Sequence, residues 1–132
     1  MQSAECIVQS DREQPMPRHI CAEKSFEFAV RIVNLYKYLT AEHKEYVMSR
    51  QLLRCGTSIG ANVAEAQRGQ SKADFIAKMS IALKEANETH YWIRLLHRTE
   101  YISQVQFDSL DTDILEIISL LTSICKTANQ NK

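Results

Sequence analysis

All three glycines of the chain, Gly56, Gly60 and Gly69, lie within one fourteen-residue stretch. A glycine-rich loop that holds phosphate needs the spacing G-x-x-x-x-G-K-[ST] after a strand. The stretch shows neither this spacing nor a strand pattern before it. Glycine instead lets another helix approach closely. On a helix, Gly56 falls in the main apolar sector and Gly60 joins Ala64 in another, which predicts close contacts on two different sides.

The acids, histidines and cysteines lack the spacing of a metal or catalytic centre. A di-metal site in a helical bundle uses two Glu-x-x-His pairs, and no Glu here has a His three residues later. No histidine is placed by the sequence beside a candidate nucleophile. The four cysteines form no C-x-x-C pair. The sequence therefore predicts no metal, no cofactor and no enzymatic activity.

The sequence lacks the apolar segments that direct a protein to export or into a membrane. The first twenty residues contain no apolar signal segment, and no run of eighteen apolar residues occurs anywhere in the chain. We therefore expect a cytoplasmic protein with reduced cysteines and no membrane association.

Cations in the middle of the chain could contact phosphate. The net charge is zero, but residues 44–98 contain nine Lys/Arg and five Asp/Glu, whereas residues 100–116 contain five acids and no Lys/Arg. Phosphate contacts by these cations would be independent of base sequence and sensitive to salt. The alternative is a set of solvated helix faces that complement each other across the protein. The candidate nucleic-acid contacts are Arg50, Arg54, Arg68 and Lys72.

Carboxylates and amides near these cations have two interpretations. They are either solvated, or they build a buried polar network that sets the register of two helices. The members of such a network would be Arg54, Ser58, Asn62, Glu65, Glu85 and Glu88. Tyr91 and Trp92 could stack bases, as aromatic residues do in single-strand binders. Since the sequence shows no aromatic residues interleaved with Lys or Arg on one face, packing is the favoured role of this pair.

The elements that position these residues are predicted to be four helices. Apolar residues recur at helical spacing over residues 25–39, 41–67, 72–98 and 104–128, and no proline follows residue 17. Candidate caps are Ser25, Thr40, and the capping-box serines Ser71 and Ser103, while Gly69 is a candidate C′ residue. The pattern predicts an all-α, antiparallel up-and-down four-helix bundle over residues 25–132. Residues 1–24 are predicted to be a flexible arm.

Two of the predicted helices are apolar on more than one side. The first carries Phe26, Val30 and Val33 opposite its main stripe, and the third carries Ile81 and Trp92. A helix with two apolar sides contacts neighbours on two sides. In a chain this short the second neighbour is expected to be another copy, so the sequence predicts a homo-oligomer.

The segment from Arg50 to Thr99 resembles the four-helix-bundle proteins encoded in intervening sequences of bacterial large-subunit ribosomal RNA genes. The element S-I-x-x-N-[IV]-A-E is present from Ser58 through Asn62 to Glu65, and a looser E-x-x-Y-W-[IL] element begins at Glu88. The stretch SFEFAVRIVNLYKYL is similar to the first helix of that family. The resemblance covers about residues 25–126.

This resemblance implies a barrel-like homopentamer without enzymatic activity. Related proteins act as accessory factors of diversity-generating retroelements and bind a reverse transcriptase and nucleic acid. Two functions are therefore open at this point. One is an RNA-associated accessory factor whose basic second helix is repeated around a ring, and the other is a protein-interaction scaffold that does not bind nucleic acid. The scaffold is favoured by the zero net charge and by the apolar residues Phe26, Val30, Ile81 and Trp92.

Overall fold

The computed structural model describes residues 17–130, which form four helices joined by three short connections. Helix α1 spans Pro17–Glu42, α2 Met48–Gln67, α3 Lys72–Arg98 and α4 Gln104–Gln130. Each helix packs against the next one, and α4 returns to pack against α1. The predicted all-α four-helix bundle is confirmed.

The core consists of the apolar stripes that the helical periodicity indicated. Each helix contributes aliphatic or aromatic side chains that are fully buried, and each such side chain stabilises the fold by roughly 1.5–3 kcal/mol. The largest are Phe28, Ile32, Leu39, Leu52, Ile59, Met79, Ile93, Leu96, Ile114, Ile117 and Leu121. The second apolar side of α1 remains on the surface, with Phe26 65% exposed.

Helix α1 begins eight residues earlier than the sequence pattern indicated. Its first residue is Pro17, a residue type favoured at the first helical position. Ser25 is not an N-cap, because it lies inside the helix, is fully buried, and donates from Oγ to the carbonyl oxygen of Ala22 at 3.2 Å. Cys21 is also fully buried. Residues 17–24 therefore belong to the bundle, and the rest of the predicted arm lies outside the described residues.

Helix α2 begins seven residues later than predicted. Thr40 does not cap it, since its Oγ1 donates to the carbonyl oxygen of Tyr36 at 3.0 Å within α1. Lys44, with φ of 53°, adopts the left-handed conformation just after α1 ends. A short connection, residues 43–47, then separates the two helices where the apolar pattern had indicated continuous helix.

The carboxylate of Glu45, rather than Thr40, accepts the hydrogen bonds of the backbone N–H groups at the start of α2. Glu45 is only 8% exposed. Its Oε1 accepts a hydrogen bond from the backbone N–H of Ser49 at 2.7 Å, and its Oε2 accepts from those of Val47 and Met48 at 3.1 and 3.0 Å. These three N–H groups have no partner inside the helix, so the carboxylate replaces the missing acceptors.

The remaining helix ends follow the local signals more closely. Ser71 Oγ accepts from the N–H of Asp74 at 3.1 Å, and Ser103 and Gln106 exchange reciprocal bonds at 2.7 and 3.1 Å. Both predicted capping serines are confirmed. Gly69 follows the end of α2 as predicted, but no glycine among residues 17–130 has a positive φ, so it does not form the left-handed cap.

The two glycines of α2 allow a close contact with α1. A Cβ atom at Gly56 would lie 2.9 Å from both Cγ1 and Cγ2 of Ile32, and one at Gly60 would lie 3.1 Å from the carbonyl oxygen of Ser25. The predicted close approach is confirmed. The prediction of two different sides is wrong, because residues four apart on a helix differ by only about 40° and both glycines face α1.

Candidate functional site

The four cations predicted to contact nucleic acid are all exposed, but they are not equivalent. Arg50 and Arg68 lie on the same face of α2, about five turns and roughly 27 Å apart. Arg54 lies between them, and Lys72 is the first residue of α3. The prediction that these charges lie on the surface is therefore correct. Which of them can contact a ligand depends on the side chains with which they already pair.

Arg54 is held by two carboxylates of α3. Its Nη1 donates to Glu85 Oε1 at 3.3 Å and its Nη2 donates to Glu88 Oε2 at 2.5 Å. The hydrogen bond with Glu88 raises the pKa of Arg54. Partial burial raises the pKa of Glu88, but the hydrogen bonds from Arg54 and Trp92 lower it overall. One positive charge thus faces two negative ones, which makes Arg54 a poor phosphate ligand.

Trp92 and Tyr91 continue this set of contacts along α3. Trp92 Nε1 donates to Glu88 Oε2 at 3.2 Å. The ring centroids of Trp92 and Tyr91 lie 5.2 Å apart with an interplanar angle of 78°, an edge-to-face arrangement. Trp92 packs against the core, as the sequence analysis favoured. Tyr91 is 53% exposed, so its predicted packing role is not what the structure shows.

The other members of the hypothetical polar network are separate from Arg54. Asn62 Nδ2 donates to the carbonyl oxygen of Ser58 at 2.8 Å, a bond within α2. Glu65 accepts from Lys78 Nζ at 2.8 Å, and this bond, together with the nearby charge of Arg68, lowers the pKa of Glu65. The structure therefore contains three local groups where the sequence suggested one network.

A cavity of about 620 Å³ opens at the end of the bundle where α1 and α3 begin. Its lining includes Arg18, Ser71, Lys72 and Thr127, and no Asp or Glu is among the described residues that line it. The guanidinium carbon of Arg18 lies 4.8 Å from the ring centroid of Phe75, a cation–π contact. The cavity thus combines two cations from different helices with hydroxyl groups.

Arg18 is absent from the predicted contacts because it lies before Ser25, in the segment that the sequence pattern predicts to be a flexible arm. Two signals could have placed it on a helix. Pro17 suits a first helical position, and Cys21 lies seven residues before Phe28, so the main apolar stripe of α1 extends backwards through it.

Metal-ligating side chains do not gather into a candidate metal site within residues 17–130. No group of three or more His, Cys, Asp or Glu side chains in this part of the chain could hold a metal ion. Three free thiols are buried, and burial raises the pKa of Cys21 and of Cys55 to about 11. These two thiols are therefore protonated at neutral pH. None of the four helices is long and apolar enough to cross a membrane.

Comparison with known proteins agrees with the four-helix architecture and identifies the family. A crystal structure at 1.70 Å of a protein of unknown function from the S23 ribosomal protein family of Bacteroides thetaiotaomicron VPI-5482 is 61% identical, with a TM-score of 0.82. The similarity covers 84% of this chain and 99% of that one. No curated protein sequence matches the chain. The family model for the 23S rRNA-intervening sequence protein matches residues 18–123. This chain therefore belongs to the 23S rRNA-intervening sequence protein family.

Proposed function

We propose that this protein is a non-enzymatic, oligomeric accessory factor that binds RNA through its phosphate backbone. The observation that carries the proposal is the cavity at the end of the bundle, whose lining includes the cations Arg18 and Lys72 from different helices and the hydroxyl groups of Ser71 and Thr127. Two cations supplied by different helices suit the closely spaced charges of a nucleic-acid backbone. Such contacts position an RNA without reading its bases.

The cations of this proposed interface differ from those that the sequence predicted. Arg50 and Arg68 are exposed on one face of α2, which keeps them in the proposed interface, and Arg18 is added. Arg54 is removed from it, since Glu85 and Glu88 already offset its charge. Arg54 is instead a positioning residue that ties α2 to α3.

Assembly of several copies would multiply this interface. The second stripe of α1 is exposed in the single chain, with Phe26, Val30 and Val33 at 65%, 42% and 37%. Association with another copy would cover these side chains, and a closed ring would repeat the cations around its surface. We propose a homopentamer, as the family resemblance implies. Light scattering should then give a mass several times the 15.2 kDa of one chain, and Val30→Asp should lower it.

Binding of a structured RNA at several salt concentrations tests the proposal. The double variant Arg18→Ala/Lys72→Ala should bind more weakly, and the slope of log K against log salt should fall by roughly 0.7–0.9 for each lost phosphate contact. Arg54→Ala is the matched control, because it also removes one arginine but is expected to leave the slope unchanged. No binding at low salt, or equal losses in the control, would contradict the proposal.

The second candidate is a protein-interaction scaffold without RNA binding. The exposed stripe of Phe26, Val30 and Val33 favours it, because a protein partner could cover the same apolar surface. A purified complex with one protein partner that survives nuclease treatment and dissociates in Val30→Asp would support the scaffold. The same complex lost on nuclease treatment would support the RNA proposal.

A further inference from the structure

A second groove lies near the opposite end of α3, between that helix and the start of α4. Its volume is about 600 Å³, within the range of roughly 300–1,000 Å³ that small-ligand sites occupy. Tyr91, Arg94, Arg98 and His97 of α3 and Phe107 of α4 are among its lining residues. Arg94 is about 33 Å along α3 from Lys72, so the groove is distinct from the basic end of the bundle.

Both arginines of the groove remain available to a ligand. Arg94 and Arg98 are exposed, and neither forms an ion pair within the described part of the chain. Two acids in the first turns of α4, Asp108 and Asp111, are each hydrogen bonded to another side chain at 2.8 Å. Neither acid lines the groove, and nor does Glu100. The groove therefore has a positive charge that an anionic ligand would complement.

Aromatic surfaces in the groove are held in place without a ligand. Tyr91 is braced edge-on by Trp92, which in turn is hydrogen bonded to Glu88. On the other wall, His97 stacks on Phe107 with ring centroids 4.2 Å apart and an interplanar angle of 13°. Rings that are already oriented lose little conformational entropy when a flat group stacks on them.

The spacing on α3 brings the aromatic and cationic groups to one face. Tyr91, Arg94 and Arg98 are at positions i, i+3 and i+7, which lie within about 60° of each other around a helix. Aromatic and basic residues thus interleave on this face of α3, contrary to the expectation for the sequence around Tyr91 and Trp92. This interleaving becomes visible only when the next two turns of α3 are included.

We propose that this groove binds a single-stranded segment of RNA, with one base stacked on Tyr91 and the adjacent phosphates contacted by Arg94 and Arg98. Stacking on an exposed aromatic ring tolerates any base, and arginines beside it follow the backbone. The proposal rests on the proposed function and extends it, since the bundle end contacts phosphates alone whereas this groove requires an unpaired base.

Fluorescence anisotropy with two labelled strands tests the groove. One strand is an adenosine oligoribonucleotide, and the other is an abasic strand of the same length with the same phosphates. Wild-type protein should bind the adenosine strand at least about fivefold more tightly. Tyr91→Ala should abolish this preference without changing affinity for the abasic strand, whereas the matched control Tyr91→Phe should retain it. Arg94→Ala/Arg98→Ala should weaken both strands and lower the salt slope.

Equal binding of the two strands by wild-type protein would overturn the groove proposal, and so would a preference that survives in Tyr91→Ala. Displacement of the adenosine strand by adenosine monophosphate at an equal concentration would assign the groove to free nucleotides and would also overturn it. The two proposals fail separately. The groove proposal is supported if the preference for the adenosine strand is lost in Tyr91→Ala but kept in Arg18→Ala/Lys72→Ala. This holds even if Arg18→Ala/Lys72→Ala binds structured RNA as well as wild type does, a result that would contradict only the proposed function.

Discussion

Glu45 offers the sharpest test of how the first two helices are joined. Its carboxylate accepts three backbone N–H groups at the start of α2, at 2.7 to 3.1 Å, while Ser49 Oγ donates to the Glu45 carbonyl oxygen at 2.7 Å. Both residues are buried. The perturbations are Glu45→Gln, which keeps the shape and removes the charge, and Glu45→Ala, which removes every acceptor of the side chain.

The size of each effect follows from the bonds that are lost. An N-cap contributes about 0.5–2 kcal/mol, and hydrogen bonds to a charged acceptor are roughly twice as strong as neutral ones. We expect Glu45→Gln to lower the free energy of unfolding by about 1 kcal/mol. In Glu45→Ala the buried N–H of Ser49 loses its acceptor, which adds about 1–3 kcal/mol. Glu45→Ala should therefore lower the free energy of unfolding by about 2–4 kcal/mol in total.

The effect of Glu45→Gln should depend on pH. Burial raises the pKa of Glu45, but the backbone hydrogen bonds from Met48, Ser49 and Val47 lower it overall from its ordinary value of 4.5. The charged form is thus favoured in the native state. Its contribution to stability is complete above the unfolded pKa and is lost as the pH falls through the native pKa. The difference between wild type and Glu45→Gln should shrink in this acid range.

Urea denaturation followed by circular dichroism, at about pH 7 and about pH 3, measures this difference. Glu42→Gln is the matched control, because Glu42 is exposed and its substitution should change stability by less than about 0.5 kcal/mol. A Glu45→Gln protein that is as stable as wild type at neutral pH, or whose loss of stability is the same at both pH values, would contradict a charged cap at Glu45.

Three further substitutions probe the packing of α2. Gly60→Leu should lower the melting temperature, because the Cβ atom of leucine would lie 3.1 Å from the backbone carbonyl oxygen of Ser25 in α1. This effect should outweigh the higher helix propensity of leucine, which favours the helix over glycine by about 0.8–1 kcal/mol. An unchanged melting temperature would show that this contact is absent. Gly56→Ala should destabilise wild type by about 1 kcal/mol in urea but stabilise an Ile32→Ala background, where the obstructing carbons are gone. Arg54→Ala should change Trp92 fluorescence yet cost only about 1 kcal/mol or less, since the ion pairs are partly exposed; a loss of several kcal/mol would contradict this.

The helices that the sequence predicted best are those with caps made by neighbouring residues. Helix α3 begins and ends where the pattern indicated, and α4 begins at the predicted residue, because Ser71 and Ser103 bond to groups three residues away. The start of α2 was missed because its cap, Glu45, follows a left-handed Lys44 inside a stretch whose apolar spacing still resembles a helix. Capping by a side chain from such a connection has no simple sequence signature.

The candidate site was predictable only as a set of exposed charges. Arg54 is 31 and 34 residues from the two carboxylates that hold it, so its pairing depends on how α2 packs against α3. Arg18 and Lys72 likewise line one cavity only because α1 and α3 begin at the same end of the bundle. Sequence spacing within one helix could not reveal either arrangement.

Helical periodicity and residue size in the sequence are enough to predict the four helices of residues 17–130, their buried faces and the close-packing role of Gly56 and Gly60. These properties are local, since they follow from helical periodicity and from side-chain size. Packing between helices is needed to know that both glycines face α1, that Arg54 is already paired, and that Tyr91 shares an open groove with Phe107. These facts depend on distances between different helices, which are set when the apolar faces pack together.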